Sequence, residues 1–137
     1  MKQLRLATDG GARGNPGPAG IGVVLSDAHG ALVETMAQYI GEATNNQAEY
    51  RALIAGLERA MILGATDVVI QSDSELMVRQ ILGEYRVKNE KMKPLYEKTR
   101  RLLTAFATFT IRHVRREENS EADALVNAAL DQAMTHR

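Results

Sequence analysis

The spacing of apolar residues changes near residue 44, and this change restricts the fold more strongly than any other feature of the chain. Residues 3–9 alternate between apolar and polar side chains, residues 21–25 are an apolar run, and the turn at His29-Gly30 predicts that 32–40 form the returning strand. Such alternation is typical of strands, so the first forty residues predict a three-stranded antiparallel meander. Residues 10–18 are rich in glycine and proline, which favours a loop. From 46 to 63 apolar positions recur three or four residues apart, which predicts a helix.

Strands and helices alternate through the remainder of the chain. An apolar run predicts a strand at 67–71, and alternation predicts another at 108–114. Helices are predicted at 74–82, at 95–106 and from 120 to about 134. Three hairpin strands followed by alternating helices and strands imply an α/β fold. We expect a mixed five-stranded sheet, with its first three strands antiparallel and with helices on both faces.

Length and composition narrow the class of protein. The 137 residues predict one domain over 1–137, and the absence of cysteine excludes a disulfide or a thiolate metal site. No run approaches the roughly 18 apolar residues of a membrane span, and no signal peptide is visible in MKQLRLATDG. We therefore expect a cytoplasmic protein without membrane association. Since no feature demands a dimer, we expect a monomer.

Charge is distributed unevenly along the chain. The net charge is zero, yet residues 79–116 contain eleven basic and three acidic side chains. A local basic field beside an acidic remainder suits the binding of phosphate near a metal site. A solvent-exposed helix whose charged side chains form ion pairs explains the same charge distribution equally well.

Four acidic residues lie near predicted element boundaries. Asp9 and Asp73 follow the first and fourth strands, and Glu49 and Asp123 are expected in the first turns of helices. Each alone has an ordinary explanation as a turn residue or as an acid at the positive end of a helix dipole. Strand ends and helix starts meet at one edge of such sheets, where four acids would repel one another without cations. Two Mg²⁺ ions about 4 Å apart on such ligands can activate water and stabilise the leaving oxygen of a phosphodiester.

Four stretches of the chain closely resemble the motifs of type 1 ribonuclease H. They are TDGGARGNPGPAGIG at 8–22, TNNQAEYRAL at 44–53, QSDSELMVRQI at 71–81 and ENSEADALVNAAL at 118–130. The resemblance covers nearly the whole chain in order, and the set is far more specific than any single motif. It implies the five-stranded fold of that family and an endonuclease that cuts the RNA strand of RNA–DNA hybrids, leaving 5′-phosphate and 3′-hydroxyl ends.

The resemblance also implies roles for individual residues. The family's metal ligands fall on Asp9, Glu49, Asp73 and Asp123, which would hold two Mg²⁺ ions, with Mn²⁺ as a substitute. A 2′-hydroxyl is both donor and acceptor, so nearby backbone groups can distinguish RNA from DNA. Seven substrate contacts follow: Gly10 and Gly11 near the RNA 2′-hydroxyls, Asn15, Asn45 and Gln47 in the minor groove, and Thr44 and Asn89 around a phosphate of the DNA strand. The asparagines are also typical turn residues, and both roles are compatible.

The segment before the last helix departs from the family pattern. Many members carry a histidine there that assists proton transfer or product release, whereas this chain has HVRREENSEAD from 113 to 123. His113 falls within the predicted strand, so we expect it to be a strand residue. Glu117 is the side chain nearest to the position that the histidine occupies in those relatives, and a carboxylate with a raised pKa can transfer protons. Glu117 is therefore a weak candidate for that role, and a solvated loop acid is an equally good interpretation.

The segment GEYRVKNEKMKP at 83–94 is a second departure, because relatives can carry a longer basic handle with tryptophan at this place. Here Arg86, Lys88, Lys91 and Lys93 are left to contact phosphates, which predicts a small footprint and a steep salt dependence. Three functions stay open from the sequence. They are a nuclease for RNA–DNA hybrids, a related nuclease that also cuts double-stranded RNA, and a non-catalytic hybrid-binding module.

Overall fold

The computed structural model describes residues 2–135. Five strands, four α-helices and one 3-10 turn make up this part of the chain. In chain order they are β1 (Gln3–Ala12), β2 (Gly17–Asp27), β3 (Leu32–Ala43), α1 (Asn45–Ile62), β4 (Asp67–Ser72), α2 (Glu75–Ile81), α3 (Lys93–Leu103), β5 (Thr108–His113), the 3-10 turn (Arg116–Asn119) and α4 (Ser120–Thr135).

The strands form one mixed sheet in the order β3-β2-β1-β4-β5. β1 pairs antiparallel with β2, and β2 pairs antiparallel with β3. β4 lies parallel to both β1 and β5. The predicted fold class is thus confirmed, including the antiparallel arrangement of the first three strands.

The loop predicted at residues 10–18 is wrong in its extent. β1 continues to Ala12 and β2 begins at Gly17, so the loop is only residues 13–16. Glycine-rich composition suggested a loop, but Gly10 and Gly11 find backbone partners opposite Ile21 and Gly20 on β2. The 3-10 turn before α4 was not predicted, because four residues are too few to show a period.

Helices cover both faces of the sheet. Neighbouring residues of a strand point to opposite faces, so Val23 and Gly22 of β2 show which helix lies on each side. A Cβ built on Gly56 of α1 lies 3.2 Å from Val23, and one built on Gly22 lies 2.9 Å from Leu125 of α4. The larger buried cluster lies on the α1 side and includes Leu6, Val23, Leu53 and Leu57.

Within residues 2–135, none of the helices combines the length and apolar character that crossing a bilayer requires.

Candidate active site

Asp9 and Asp73 meet because β1 and β4 run parallel in register. The last pair between these strands is Thr8 opposite Ser72, and each acid is the next residue along its strand. Asp73 follows the end of β4, as predicted, whereas Asp9 lies inside β1, which continues to Ala12. The two carboxylates therefore leave the sheet side by side at the carboxyl end of the parallel pair.

Glu49 reaches this pair because α1 packs very closely on β1. A Cβ built on Gly10 would lie 2.2 Å from the carbonyl oxygen of Ala48, so only glycine permits this approach. The Gly10 amide donates to Glu49 Oε1 at 2.9 Å. The expectation that Glu49 lies in the first turn was wrong: it is the fifth residue of α1, whose first turn contains no acid. A favourable interaction with the helix dipole therefore does not explain this carboxylate.

Asp9, Glu49 and Asp73 form an acidic triad whose ligand oxygens lie within 4.8 Å of one another; Asp9 and Glu49 are buried and Asp73 is half-buried. Burial raises the pKa of Asp9 to about 8, and the nearby carboxylates of Asp73 and Asp123 add to the shift. Burial also raises the pKa of Glu49 well above its usual range, and the charges of Asp9 and Asp73 add to it. Closely spaced oxygens with unfavourable mutual charge are a donor set that suits a hard divalent cation. The triad could hold such a metal ion.

Asp123 approaches the triad from the opposite face of the sheet. Gly22 pairs with Asp9 across β1 and β2. A Cβ on Gly22 would lie 2.3 Å from the carbonyl oxygen of Ala122, so its absence lets the first turn of α4 approach the strand. Asp123 lines the same cavity as the triad but lies outside the tight cluster. Its Oδ1 is 3.6 Å from Nη2 of Arg116, which neutralises part of its charge.

From the 3-10 turn, Arg116 and not Glu117 lines the cavity. Glu117, the candidate for proton transfer, is exposed and is not among the described residues that line this cavity. His113 is an exposed residue at the end of β5, in agreement with its expected place in a strand. The turn is anchored by buried Asn119, whose amide donates to the Thr8 carbonyl oxygen at 2.9 Å. The motif N-x-x-x-D, which includes Asn119, was the available sequence signal for this anchor.

The asparagines predicted to contact substrate hold one another in place. The backbone N–H of Asn45 donates to Asn15 Oδ1 at 3.0 Å, and the backbone N–H of Ala12 donates to Asn45 Oδ1 at 2.8 Å. Both side chains therefore use their acceptor oxygens to tie the loop at 13–16 to the start of α1. Gly11 and Asn45 line the cavity beside the acids, and Asn15 is exposed on the loop.

Thr44 and Gln47 form the capping box of α1. Thr44 Oγ1 accepts from the Gln47 amide at 3.1 Å, and the Thr44 amide donates to Gln47 Oε1 at 2.8 Å. Asn89 lies farther away in the segment between α2 and α3, where its Oδ1 accepts from the Lys91 amide at 2.8 Å. Gln47 and Lys91 line one cavity, so the capping box and this segment face each other.

The cavity that contains the four acids has a volume of about 370 Å³. Three polar side chains on its wall were not predicted as site residues: Arg13, Arg116 and Asn127. Arg116 brings positive charge to the rim of an acidic floor, whereas the guanidinium of Arg13 is paired with Asp131. This arrangement can hold a cation on the floor while the rim attracts an anionic group such as a phosphate.

The chain is similar in sequence to a known family and to curated proteins. Residues 7–129 match the family model described as "Reverse transcriptase-like". "Ribonuclease HI" of Halobacterium salinarum is 46% identical over 125 residues, which are 91% of this chain and 63% of the relative. "Bifunctional protein Rv2228c" of Mycobacterium tuberculosis is 45% identical over 129 residues, which are 93% of this chain and 35% of that protein. The chain thus spans less than two thirds of the length of either relative.

Solved structures cover the chain almost completely. The N-terminal RNase H domain of Rv2228c has a TM-score of 0.95 at 42% identity, over 99% of both chains. LC11-RNase H1, isolated from compost by a metagenomic approach and solved in complex with an RNA/DNA hybrid, has a TM-score of 0.91 at 44% identity, over 96% of this chain and 99% of its own. Because the family model matches residues 7–129 and the sequence and fold of these relatives match nearly the whole chain, the chain belongs to the ribonuclease HI family.

Proposed function

We propose that this chain is a ribonuclease H, an endonuclease that hydrolyses the RNA strand of RNA–DNA hybrids and leaves 5′-phosphate and 3′-hydroxyl ends. The observation that carries the proposal is the acidic triad of Asp9, Glu49 and Asp73, whose ligand oxygens lie within 4.8 Å of one another in an open cavity. Its similarity to LC11-RNase H1, which was solved with an RNA/DNA hybrid, supports the choice of substrate.

The four acids would hold two Mg²⁺ ions, with Mn²⁺ as a substitute. Asp9, Glu49 and Asp73 form the tight part of the ligand set, and Asp123 completes it from α4. When bound, the ions would supply the activation of a water and the stabilisation of the leaving oxygen. Arg116 lies where it can offset the charge of Asp123 or of a phosphate at the rim. Glu117 stays a weak candidate for proton transfer, since its exposed side chain has no described contact with the acids.

The substrate contacts follow from donors that remain free. Among the described residues, the side-chain Nδ2 groups of Asn15 and Asn45 donate to no protein group, while their Oδ1 atoms are occupied. The minor groove of every base pair presents acceptors, so two free amide donors suit it. The backbone at Gly10 and Gly11 borders the acids, where we place the RNA 2′-hydroxyls.

On the other side of α1, Gln47 and Lys91 line one cavity, and Thr44 and Asn89 lie beside these residues along the chain. We place a phosphate of the DNA strand at Thr44 and Asn89. We propose in addition that residues 1–137 act as one catalytic domain, as a monomer in the cytoplasm. Light scattering of the purified protein would test the monomer.

One cleavage assay tests the activity. End-labelled RNA–DNA hybrid, double-stranded RNA and double-stranded DNA are incubated with the protein in Mg²⁺ or in EDTA. We expect cleavage of the RNA strand of the hybrid only in Mg²⁺, with 5′-phosphate products. Equal cutting of double-stranded RNA would instead indicate the broader nuclease, and tight binding without cleavage would indicate a binding module.

Variants of the acids test the metal site in the same assay. Asp9→Asn and Asp73→Asn should each abolish cleavage and leave the circular dichroism spectrum unchanged. Glu121→Gln is the matched control, because Glu121 is an exposed acid two residues before Asp123 on the same helix. Full activity of either aspartate variant would exclude that residue as a metal ligand.

A further inference from the structure

Arg13, in the loop at residues 13–16, contacts the C-terminal half of α4. Nη2 of Arg13 lies 2.6 Å from Asp131 Oδ1, and Nη1 lies 3.1 Å from the sulfur of Met134. These partners are 118 and 121 residues away along the chain. The contacts therefore join the first hairpin of the sheet to the last helix.

The same loop is fastened to α1 on its other side. Asn15 Oδ1 accepts from the Asn45 amide at 3.0 Å, and the Arg13 amide donates to the Pro18 carbonyl oxygen at 2.8 Å. A Cβ on Gly17 would lie 2.2 Å from the Arg13 carbonyl oxygen, so the loop is tightly closed. Its position is thus set by two helices that come from opposite faces of the sheet.

The loop and α4 also share a wall of the cavity above the acids. Arg13 and Asn45 line one part of this wall, and Asn127 and Leu130 of α4 line the adjoining part. A shift of the loop relative to α4 would change the width of the cavity and the direction in which the side-chain amide of Asn15 points. Such a shift would affect the fit of a bound strand more than the geometry of the triad, which is built on β1, β4 and α1.

We propose that Arg13 is a positioning residue, and that its pairing with Asp131 holds the loop at 13–16 in the conformation that accepts the nucleic-acid strand. The inference rests on the proposed function, because it assigns a role in substrate binding to a contact outside the acids. In this role the second half of α4 acts on hybrid affinity through Arg13, without touching the substrate.

A direct contact between Arg13 and a phosphate is the competing explanation, and it predicts a change of opposite sign. If Arg13 binds phosphate, Asp131 competes for its guanidinium, and removing Asp131 should strengthen hybrid binding. If Arg13 positions the loop, removing Asp131 should weaken binding. Because Asp131 is exposed and Arg13 partly exposed, loss of the pair costs little stability, and the fold should survive the change.

The test compares Asp131→Ala with Glu121→Ala, which removes one negative charge from an exposed position on the same helix. For Asp131→Ala we expect the KM for the hybrid to rise about threefold, as the loss of one exposed ion pair permits, with kcat unchanged. Glu121→Ala should leave both constants unchanged. Exchanging the charges with Arg13→Asp and Asp131→Arg together should return KM towards the original value.

Amide hydrogen exchange of the substrate-free protein separates this inference from the proposed activity. Asp131→Ala should speed exchange at the Arg13 and Asn45 amides, whose acceptors are Pro18 and Asn15. Unchanged exchange at both amides would overturn the inference, whether or not the protein cleaves hybrid. A KM that falls or stays the same in Asp131→Ala would overturn it as well. Absence of cleavage by the unaltered protein would instead refute the proposed function alone.

Discussion

The acidic triad should make the metal-free protein less stable as the pH rises. Asp9 is 6% exposed, and its pKa rises from an ordinary value near 4 to about 8 in the folded state. A carboxyl with a raised folded pKa binds its proton more tightly in the folded chain than in the unfolded chain. Its contribution to stability is therefore complete below about pH 4, and it is lost progressively as the pH approaches 8.

The contribution of Asp9 alone can be worked out from one proton, and Glu49, whose pKa is also raised, adds to the decline in the same direction. Between pH 5 and pH 7 the unfolded chain has lost the proton of Asp9, while the folded chain still holds it. Each pH unit then costs about 1.4 kcal/mol, so Asp9 removes up to about 3 kcal/mol across this window. For a chain of this length that corresponds to a fall of roughly 10 °C in Tm. Asp27, Glu34 and Asp67 have lowered pKa values, so their contributions are nearly constant above about pH 5.

The assay is thermal unfolding in EDTA at pH 5, 6 and 7, repeated with Mg²⁺. The unaltered protein should lose stability with rising pH in EDTA, and Mg²⁺ should restore more of it at pH 7 than at pH 5, because bound metal requires deprotonated ligands. Asp9→Asn should make the decline shallower, leaving the part that is due to Glu49, and should lose the response to Mg²⁺, while Glu121→Gln should behave like the unaltered protein. An equal decline in Asp9→Asn would show that repulsion and burial at Asp9 do not control this pH dependence.

Three further predictions concern the strand, the turn and the basic segment. Gly10→Ala should destabilise the protein by about 3 kcal/mol or more in urea unfolding, since its Cβ would overlap the α1 backbone. The control is Gly11→Ala, whose Cβ would have its nearest neighbour at 3.8 Å and which should cost less than about 1 kcal/mol. Equal costs for the two variants would contradict the close approach of α1. Glu117→Gln should change kcat less than about twofold, given its exposure, and a loss of kcat near the 10²-fold effect of a general acid would support the proton-transfer role. Hybrid cleavage should fall steeply between about 50 and 300 mM salt if the segment at 86–93 binds phosphates, and constant activity would exclude that role.

The sequence by itself determined which elements form and in what order. Apolar side chains at a period of two or 3.6 reveal which face of a segment is buried, and burial of that face stabilises the strand or helix locally. Each of the five strands and four helices lies where these patterns predicted it, with ends that differ by a few residues. The identity of the four acids was also accessible, because Asp9, Glu49, Asp73 and Asp123 stand in motifs that resemble one family.

Only the tertiary structure decided how those acids meet. Asp9 and Asp73 are neighbours because β1 and β4 are parallel and their pairing ends at Thr8 and Ser72, which no local pattern encodes. Glu49 belongs to the cluster because Gly10 lets a helix backbone approach a strand. Contacts between distant segments depend on strand register and on helix placement, and a one-residue change in either would point a carboxylate elsewhere. The pairing of Arg13 with Asp131, across 118 residues, was invisible in the sequence for the same reason.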